Sequence, residues 1–290
     1  MNNENKNNIN WFPGHMKKTR DGIKEKLKYI DVVYEVIDSR MPLSSKIKDI
    51  DDIIKDKKKI IIATKYDLCD KNETDKILNK YENEGYYIYK CDLLKDKLDN
   101  LLKLTNNIMK DEFDSMTRKG LKARKPRVLV LGVPNCGKST LINKLAGSKK
   151  AGTGNTPGFT KNISWIRLNK IDLMDTPGVL WPKLEDQEGA KTLAAFGSIK
   201  LEILNAFDIS NFILKKMYEL YPESLKERYG IESLSEDLIE EYDIIAGRRG
   251  ALLKGGIADY NKVSLIIIRD LQNSYLGKVT FDRLWIKKIY

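Results

Sequence analysis

An eight-residue segment near the middle of the chain, residues 132–139 (GVPNCGKS), has glycine, lysine and serine at the spacing GxxxxGK[ST]. Its glycines let backbone N–H groups wrap around phosphates, and the N-terminus of a following helix favours anions. Lys138 is placed to reach the β- and γ-phosphates, and Ser139 to bind Mg²⁺. The rest of the turn would enclose the phosphates, which adds Asn135, Cys136, Gly137 and Thr140 to the candidate nucleotide-binding residues. The segment predicts a site for a nucleoside triphosphate with magnesium.

Residues 175–178 (Asp-Thr-Pro-Gly) supply a second group of candidates. We predict a strand immediately before them, and a carboxylate at the end of a strand can hold Mg²⁺ through water. Asp175 is therefore a candidate magnesium ligand, and the backbone N–H of Gly178 can meet a γ-phosphate. These two residues extend the predicted site from the phosphates to the metal ion.

Residues 64–67 (Thr-Lys-Tyr-Asp) are similar to the guanine-reading motif NKxD. The carboxylate of Asp67 can accept hydrogen bonds from both the ring N–H and the exocyclic amine of guanine, a pairing that adenine does not offer. Thr64 stands where the motif has asparagine, so base specificity rests mainly on Asp67, with Lys65 beside it. Together the three segments predict that the nucleotides bound are GTP and GDP.

Short apolar segments must position these residues. Residues 31–37 and 59–63 are predicted as buried strands because they are short, β-branched and bounded by polar residues. Further strands are predicted at residues 86–90, 127–132 and 168–174. Helix-like stretches alternate with them, including residues 138–145, which indicates an α/β fold with a mostly parallel sheet. From residue 186 to 275 the apolar positions follow a helical period without a convincing strand. We therefore divide the chain into residues 1–182 and a smaller all-helical domain, residues 183–290.

Composition excludes several classes of site. One histidine and three scattered cysteines among 290 residues exclude a histidine-rich zinc centre and a disulfide framework, and a Ser-His-Asp triad would have to use His15.

No apolar run approaches the roughly 18 residues that span a bilayer. No apolar signal-peptide core follows the polar N-terminus. We therefore expect a cytoplasmic protein without a membrane partner and, lacking any sign of oligomerisation, a monomer.

The order of the motifs is unusual, because the guanine motif precedes the phosphate loop whereas in most GTPases it follows. This order is typical of a circularly permuted GTPase. The chain closely resembles the ribosome biogenesis GTPase A family, and the resemblance covers nearly its whole length through residues 11–16 (WFPGHM), 154–160 (GNTPGFT), 175–182 (DTPGVLWP), 221–230 (YPESLKERYG) and 249–256 (RGALLKGG). It implies a P-loop GTPase domain in circularly permuted order, acting late in assembly of the large ribosomal subunit.

The resemblance also implies roles for particular residues. Thr160 would be the switch threonine that completes the magnesium shell, with Thr156 in the same loop as the alternative. The loop that backs the guanine base would be Cys91, Asp92 and Leu93, which departs from the usual Ser-Ala type. Asn135 resembles the P-loop asparagine of potassium-dependent GTPases, so K⁺ is a candidate cofactor beside Mg²⁺. Alternatively, asparagine simply suits a turn.

The position after residue 178 is Val179, where Ras-like proteins carry the glutamine that orients the attacking water. An aliphatic side chain cannot polarise water, and the family has a histidine at the position of His15. His15 therefore joins Lys138, Thr160 and Gly178 as a catalytic candidate, although a histidine beside Pro-Gly can equally be structural. Hydrolysis should be slow alone and stimulated by the ribosomal particle.

Two basic groups are candidates for contact with rRNA. Residues 1–180 hold 36 basic and 24 acidic side chains, whereas residues 181–290 hold 16 and 17. The first group lies in a run without acids and comprises Arg118, Lys119, Lys122, Arg124 and Lys125. The second alternates with glycines and comprises Arg248, Arg249 and Lys254. A solvated linker and ordinary surface charge are the respective alternatives.

We therefore expect a GTPase that binds the pre-ribosomal large subunit and its rRNA and hydrolyses GTP to drive a late assembly step. The alternative is a non-enzymatic RNA-binding placeholder for which GTP is only a conformational ligand. A membrane- or tRNA-directed GTPase with the same nucleotide site is a third reading, and nothing beyond the site favours it.

Overall fold

The computed structural model describes residues 14–47, 50–54, 57–122, 124–147, 164–177, 186–199 and 204–284, and of residues 14–19 the backbone alone. The strands are β1 (Val32–Asp38), β2 (Lys58–Thr64), β3 (Tyr87–Lys90), β4 (Arg127–Gly132), β5 (Ser164–Arg167) and β6 (Asp172–Asp175). The first five helices are α1 (Gly14–Lys26), α2 (Ile50–Ile54), α3 (Lys71–Asn83), α4 (Asp99–Arg118) and α5 (Lys138–Ala146). The helical part that follows comprises α6 (Gln187–Ala195), α7 (Ala206–Leu220), α8 (Pro222–Tyr229), α9 (Ile239–Arg249) and α10 (Tyr260–Gln272).

The six strands form one sheet in the order β3-β2-β1-β4-β6-β5, and only β5 runs antiparallel to its neighbour. All seven residues of β1 are buried, as expected for a central strand covered on both faces. β4 lies in the middle, with the three strands that precede it on one side and the two that follow it on the other. The carboxyl ends of β1, β2, β4 and β6 therefore share one edge, where α/β folds bind ligands.

The predicted strand over residues 168–174 is wrong in its first half. The structure has a hairpin there: β5 ends at Arg167, β6 begins at Asp172, and the Leu168 N–H donates to the Ile171 carbonyl at 3.0 Å across the turn. Both apolar residues of this turn are at least partly buried, with Ile171 1% exposed. Their hydrophobicity makes the turn look like a strand in the sequence.

The helical part has the predicted character. Val263, Ile267 and Leu271 lie on the buried face of α10, which packs mainly on α7. Within the described residues, 186–284 contain one isolated β-bridge, between Leu252 and Ala258, and no strand. No helix in the described ranges is long and apolar enough to cross a membrane. The predicted domain boundary at residues 182 and 183 lies outside the described residues and stays a prediction.

The C-terminal segment, residues 279–284, packs back onto the sheet domain. The Asp282 carboxylate accepts hydrogen bonds from the backbone N–H groups of Leu43 (2.7 Å) and Ser44 (2.8 Å) and from the Ser44 hydroxyl (2.6 Å). Beside it, the Phe281 N–H donates to the Arg40 carbonyl at 2.9 Å, and the Phe281 ring contacts Phe196 of the helical part. The loop after β1 is thereby fastened to the last described residues of the chain.

Asp282 gives a pH-dependent prediction. Burial raises its pKa above the usual 3.8, more than the hydrogen bonds from Ser44 and Leu43 lower it, so its ionisation weakens the native state as pH rises through that pKa. Asp282→Asn keeps an acceptor for both backbone N–H groups and cannot ionise. We expect its free energy of unfolding in urea to improve relative to wild type between about pH 4 and about pH 7. A difference that is constant across this range would contradict the prediction.

Candidate nucleotide site

The phosphate loop has the backbone that its sequence predicts. A Cβ atom on Gly132 would lie 2.6 Å from the Cys136 sulfur and 2.7 Å from the Val36 carbonyl oxygen, because β1 passes directly beside the loop. Gly137 has a φ of +99°, and a Cβ there would lie 3.1 Å from the side chain of Leu93. Only glycine meets both requirements. α5 begins at Lys138, so its N-terminus faces the loop.

Pairing of β4 with β6 brings the two phosphate segments together. Val130 pairs with Asp175, and the Thr176 hydroxyl donates to the Val130 carbonyl at 2.9 Å. Across this junction the Lys138 ammonium donates to the Asp175 carboxylate at 2.5 Å, and the two side chains are 7% and 3% exposed. The predicted phosphate lysine and the predicted metal carboxylate therefore form a buried ion pair.

These residues fit a magnesium ion. Ser139, half-buried in the first turn of α5, and Asp175 offer a hydroxyl and a carboxylate, the hard oxygen donors that Mg²⁺ takes together with phosphates and water. Bound there, the ion would neutralise phosphate charge. The other predicted contributors, Thr160 with its alternative Thr156, and Gly178, lie outside the described residues.

The guanine motif lies against the phosphate loop. The Thr64 hydroxyl is 2.6 Å from the Cys136 carbonyl and 2.9 Å from that of Ile37, so it donates to either. The Lys65 ammonium donates to the Asn135 carbonyl at 2.8 Å. Asp67 is half-buried, and its carboxylate has no hydrogen bond or ion pair to another residue of the described chain. Thr64 thus ties β2 to the loop, and the predicted contact of Asp67 with guanine stays a prediction.

The candidate base-backing loop also adjoins the phosphate loop. The Leu93 carbonyl accepts from Lys144 of α5 at 2.7 Å. The Cys91 N–H donates to the Ala63 carbonyl at 2.9 Å and the Asp92 N–H to Asp96 at 2.8 Å. In the part of the chain that the structure describes, only the Leu93 N–H of these three has no partner. Burial raises the pKa of the Cys91 thiol to about 12, so it stays protonated.

Asn135 occupies a left-handed backbone position with a φ of 61°, which asparagine tolerates better than most residues. Its side-chain amide donates to the Gly197 carbonyl, just beyond α6, at 2.6 Å. This backbone position and this hydrogen bond support the alternative that Asn135 has a structural role in the turn. Its predicted role toward K⁺ stays a prediction.

Asp38 and Arg40 also lie at this edge of the sheet, and the sequence patterns did not identify them as site residues. Asp38 is the last residue of β1 and is fully buried. Its carboxylate accepts hydrogen bonds from Arg40 Nε (3.0 Å), Arg40 Nη2 (2.9 Å) and Lys65 Nζ (2.7 Å). Burial acts to raise the pKa of Asp38, but the charges of Arg40 and Lys65 outweigh it and hold that pKa well below its usual range. The available signal was a carboxylate directly after a buried strand at the same edge as Thr64.

The remaining candidates stand apart from this cluster. His15 lies in the first turn of α1, and its side chain is outside the described part of the structure. Arg124 is held by Asp31 at 2.6 and 2.7 Å, and Lys125 by the Leu168 carbonyl at 2.9 Å, which gives these two a structural role in the linker. The other basic candidates are exposed: Arg118, Lys119, Lys122, Arg248, Lys254 and Arg249, which lies 3.9 Å from Asp270.

Several known proteins are similar in sequence to this chain. Residues 127–239 match the family model described as 50S ribosome-binding GTPase. The chain is 42% identical to ribosome biogenesis GTPase A of Priestia megaterium, over 94% of this chain and 96% of the relative. The chain belongs to the ribosome biogenesis GTPase A family. It is also 30% identical to mitochondrial ribosome-associated GTPase 1 of Xenopus tropicalis, over 94% of each chain.

Solved structures agree with membership of the ribosome biogenesis GTPase A family. The GNP-bound structure of YlqF from T. maritima superposes with a TM-score of 0.64 at 28% identity, covering 92% of this chain and 98% of that one. The GDP-bound structure of the same protein gives 0.66, covering 91% and 99%. The predicted permuted P-loop fold is therefore confirmed, and the chain is a GTP hydrolase. The family model begins at Arg127, the first residue of β4, so the guanine motif on β2 lies outside it.

Proposed function

We propose that this GTPase binds the pre-ribosomal large subunit and its rRNA, and that it hydrolyses GTP to drive a late step of assembly in the cytoplasm. The relatives' names, ribosome biogenesis GTPase A and mitochondrial ribosome-associated GTPase 1, support a ribosomal partner. The observation that carries the proposal is the contact between the phosphate loop and the helical part, through Asn135 and Gly197. Through this contact, a nucleotide bound at the phosphate loop would affect the position of the helical part, which carries one of the two proposed RNA-binding surfaces.

Within the site, each group has a proposed task. Lys138 binds the β- and γ-phosphates, with the backbone of Gly137, Ser139 and Thr140 around them. Asp67 reads guanine, with Thr64 and Lys65 beside it and the Leu93 N–H behind the base. Ser139 and Asp175 hold Mg²⁺, which Thr160 would complete, and Gly178 meets the γ-phosphate. Asn135 is the proposed K⁺ ligand.

RNA contact is proposed for both parts of the chain. Arg118, Lys119 and Lys122 are exposed where α4 ends, and Arg248, Arg249 and Lys254 are exposed in the same short stretch of sequence as the exposed Leu252 and Leu253. Basic side chains contact the RNA backbone, and the near-neutral helical part favours few, shape-dependent contacts. Arg124 and Lys125 would contribute charge while keeping their structural partners.

Hydrolysis is proposed to be slow alone and stimulated by the particle, with His15 positioning water in place of the absent glutamine. The test measures GTP turnover with and without pre-ribosomal large subunits, in potassium and in sodium, for wild type and His15→Ala. Asp21→Asn, an exposed change in the same helix, is the matched control. We expect the particle to stimulate wild type and Asp21→Asn, and His15→Ala to lose about 100-fold of the stimulated rate.

Each alternative gives a different result in this experiment. Absence of turnover with and without particles would overturn the proposal in favour of the non-enzymatic placeholder. Unchanged stimulated rates in His15→Ala would remove the histidine from the mechanism. Equal rates in potassium and sodium would remove the proposed K⁺ role of Asn135.

A further inference from the structure

Arg40 lies between the nucleotide site and the helical part. Its side chain follows β1 and is almost fully buried, with the residue 2% exposed. Its fork of N–H groups binds the Asp38 carboxylate, while its third nitrogen, Nη1, donates to the Gln272 carbonyl at the end of α10 at 3.1 Å. The centre of the Phe196 ring, at the end of α6, lies 4.5 Å from the guanidinium carbon of Arg40. Two helices of the helical part therefore contact this one side chain.

Asp38 extends these contacts to the guanine motif. The oxygen that accepts from Arg40 Nη2 also accepts from Lys65 Nζ, at 2.9 and 2.7 Å. Lys65 in turn donates to the Asn135 carbonyl in the phosphate loop. A continuous set of hydrogen bonds thus joins Gln272, Arg40, Asp38, Lys65 and Asn135.

Lys65 depends on this support for its position. Its backbone φ of 55° lies in the left-handed region, where a lysine remains only if its surroundings hold it. Burial lowers the pKa of its ammonium, and the Asp38 carboxylate acts in the opposite direction. A displaced Asp38 would remove the ion pair that holds this side chain against the phosphate loop.

The end of α6 touches the network a second time. Gly197, next to Phe196, accepts from the Asn135 side chain at 2.6 Å, and the Gln272 side chain donates to the Ala195 carbonyl at 3.0 Å. The ends of α6 and α10 are therefore bonded to each other and to both ends of the network. A movement of these helix ends would displace Arg40 and Asn135 together.

We propose that Arg40 is a positioning residue that couples guanine-nucleotide affinity to docking of the helical part. With α6 and α10 docked, Arg40 holds Asp38, and Asp38 holds Lys65 against the phosphate loop. With them undocked, Lys65 loses its support and the nucleotide binds more weakly. Because such coupling is reciprocal, a bound nucleotide strengthens docking by the same factor. The inference concerns GTP and GDP binding alone and stands whether or not the ribosomal proposal holds.

The test compares the affinity of the full chain for a fluorescent GDP analogue among variants that unfold at similar urea concentrations. Arg40→Lys keeps the charge but loses the fork and the reach to Gln272, and we expect about tenfold weaker binding. Arg228→Lys is the matched control. Within the helical part, Arg228 donates two hydrogen bonds to the Asp270 carboxylate, at 2.8 and 3.0 Å, as Arg40 does to Asp38. The affinity of Arg228→Lys should stay within about twofold of wild type. If Arg40→Lys does not fold, Phe196→Leu keeps the apolar core and removes the ring beside the guanidinium, with weaker binding again expected.

A purely structural Arg40 would behave differently in two further measurements. Lys65→Met should weaken GDP binding less in the Arg40→Lys background than in wild type, because the lysine is already displaced. GDP should slow hydrogen exchange at the end of α10 in wild type and not in Arg40→Lys. Wild-type GDP affinity in the folded Arg40→Lys variant would overturn the proposal. So would additive effects of Lys65→Met and Arg40→Lys on that affinity, or equal slowing of hydrogen exchange by GDP in wild type and Arg40→Lys.

Discussion

Replacing Asp67 by asparagine is expected to change the base preference of the site from guanine to xanthine. A carboxylate accepts two hydrogen bonds, from the ring N–H and the amine of guanine, whereas an asparagine side chain accepts one and donates one. Xanthine has an oxygen where guanine has the amine, so it matches asparagine. Asp67 is half-buried and has no protein partner among the described residues, so the exchange should leave the fold intact.

The expected effect is large. Hydrogen bonds to a charged acceptor contribute about 1.5–3 kcal/mol each, so GDP affinity should fall by roughly 100-fold or more while XDP affinity rises. Competition binding with both nucleotides measures it. Asp75→Asn is the matched control, because this nearby carboxylate on α3 accepts from Tyr66 instead of facing the site. Equal weakening toward both bases in Asp67→Asn would show that Asp67 does not read the base.

Lys138→Met is expected to lose both hydrolysis and stability, for separable reasons. The lysine and Asp175 form a pair that is almost fully buried, so removing the cation leaves a buried charge that costs about 3–5 kcal/mol. Removing a donor to the transferring phosphate should lower turnover by about 100- to 1000-fold. Single-turnover GTP hydrolysis and urea unfolding measure the two effects.

Two further variants separate these effects. Lys138→Met with Asp175→Asn should recover much of the stability, since no charge is left unpaired, while hydrolysis stays low. Lys59→Met removes the cation of another buried pair, with Glu35 at 2.8 Å, and should cost similar stability without a comparable loss of turnover. If the paired variant were no more stable than Lys138→Met alone, the ion pair would not explain the loss.

The nucleotide site was predictable where a local motif coincides with the end of a strand. Residues 127–132 form β4 with the predicted limits, and the three motifs meet because parallel strands end at one edge of the sheet. The hairpin at residues 168–171 was not predictable from hydrophobicity, since its turn carries two apolar residues that are at least partly buried.

Arg40 illustrates what local patterns cannot show. Asp38 at least follows a predicted strand, whereas nothing near Arg40 in the sequence distinguishes it from an ordinary charged residue. Arg40 contacts Phe196, Gln272 and Phe281, which are far away in the chain and come close to it only in the folded structure. The contact of Asn135 with Gly197 is hidden for the same reason, because nothing near either residue specifies the other.

The central position of β4 has a consequence for folding during synthesis. β1, which carries Asp38, emerges first but lacks its second neighbour until β4 has been made. The Phe281 N–H can donate its hydrogen bond to the Arg40 carbonyl only when residues 279–284 have left the exit tunnel. Contacts of such long sequence separation form slowly. We therefore expect nascent chains that end before residue 279 to bind guanine nucleotides poorly, because Arg40 then lacks this contact.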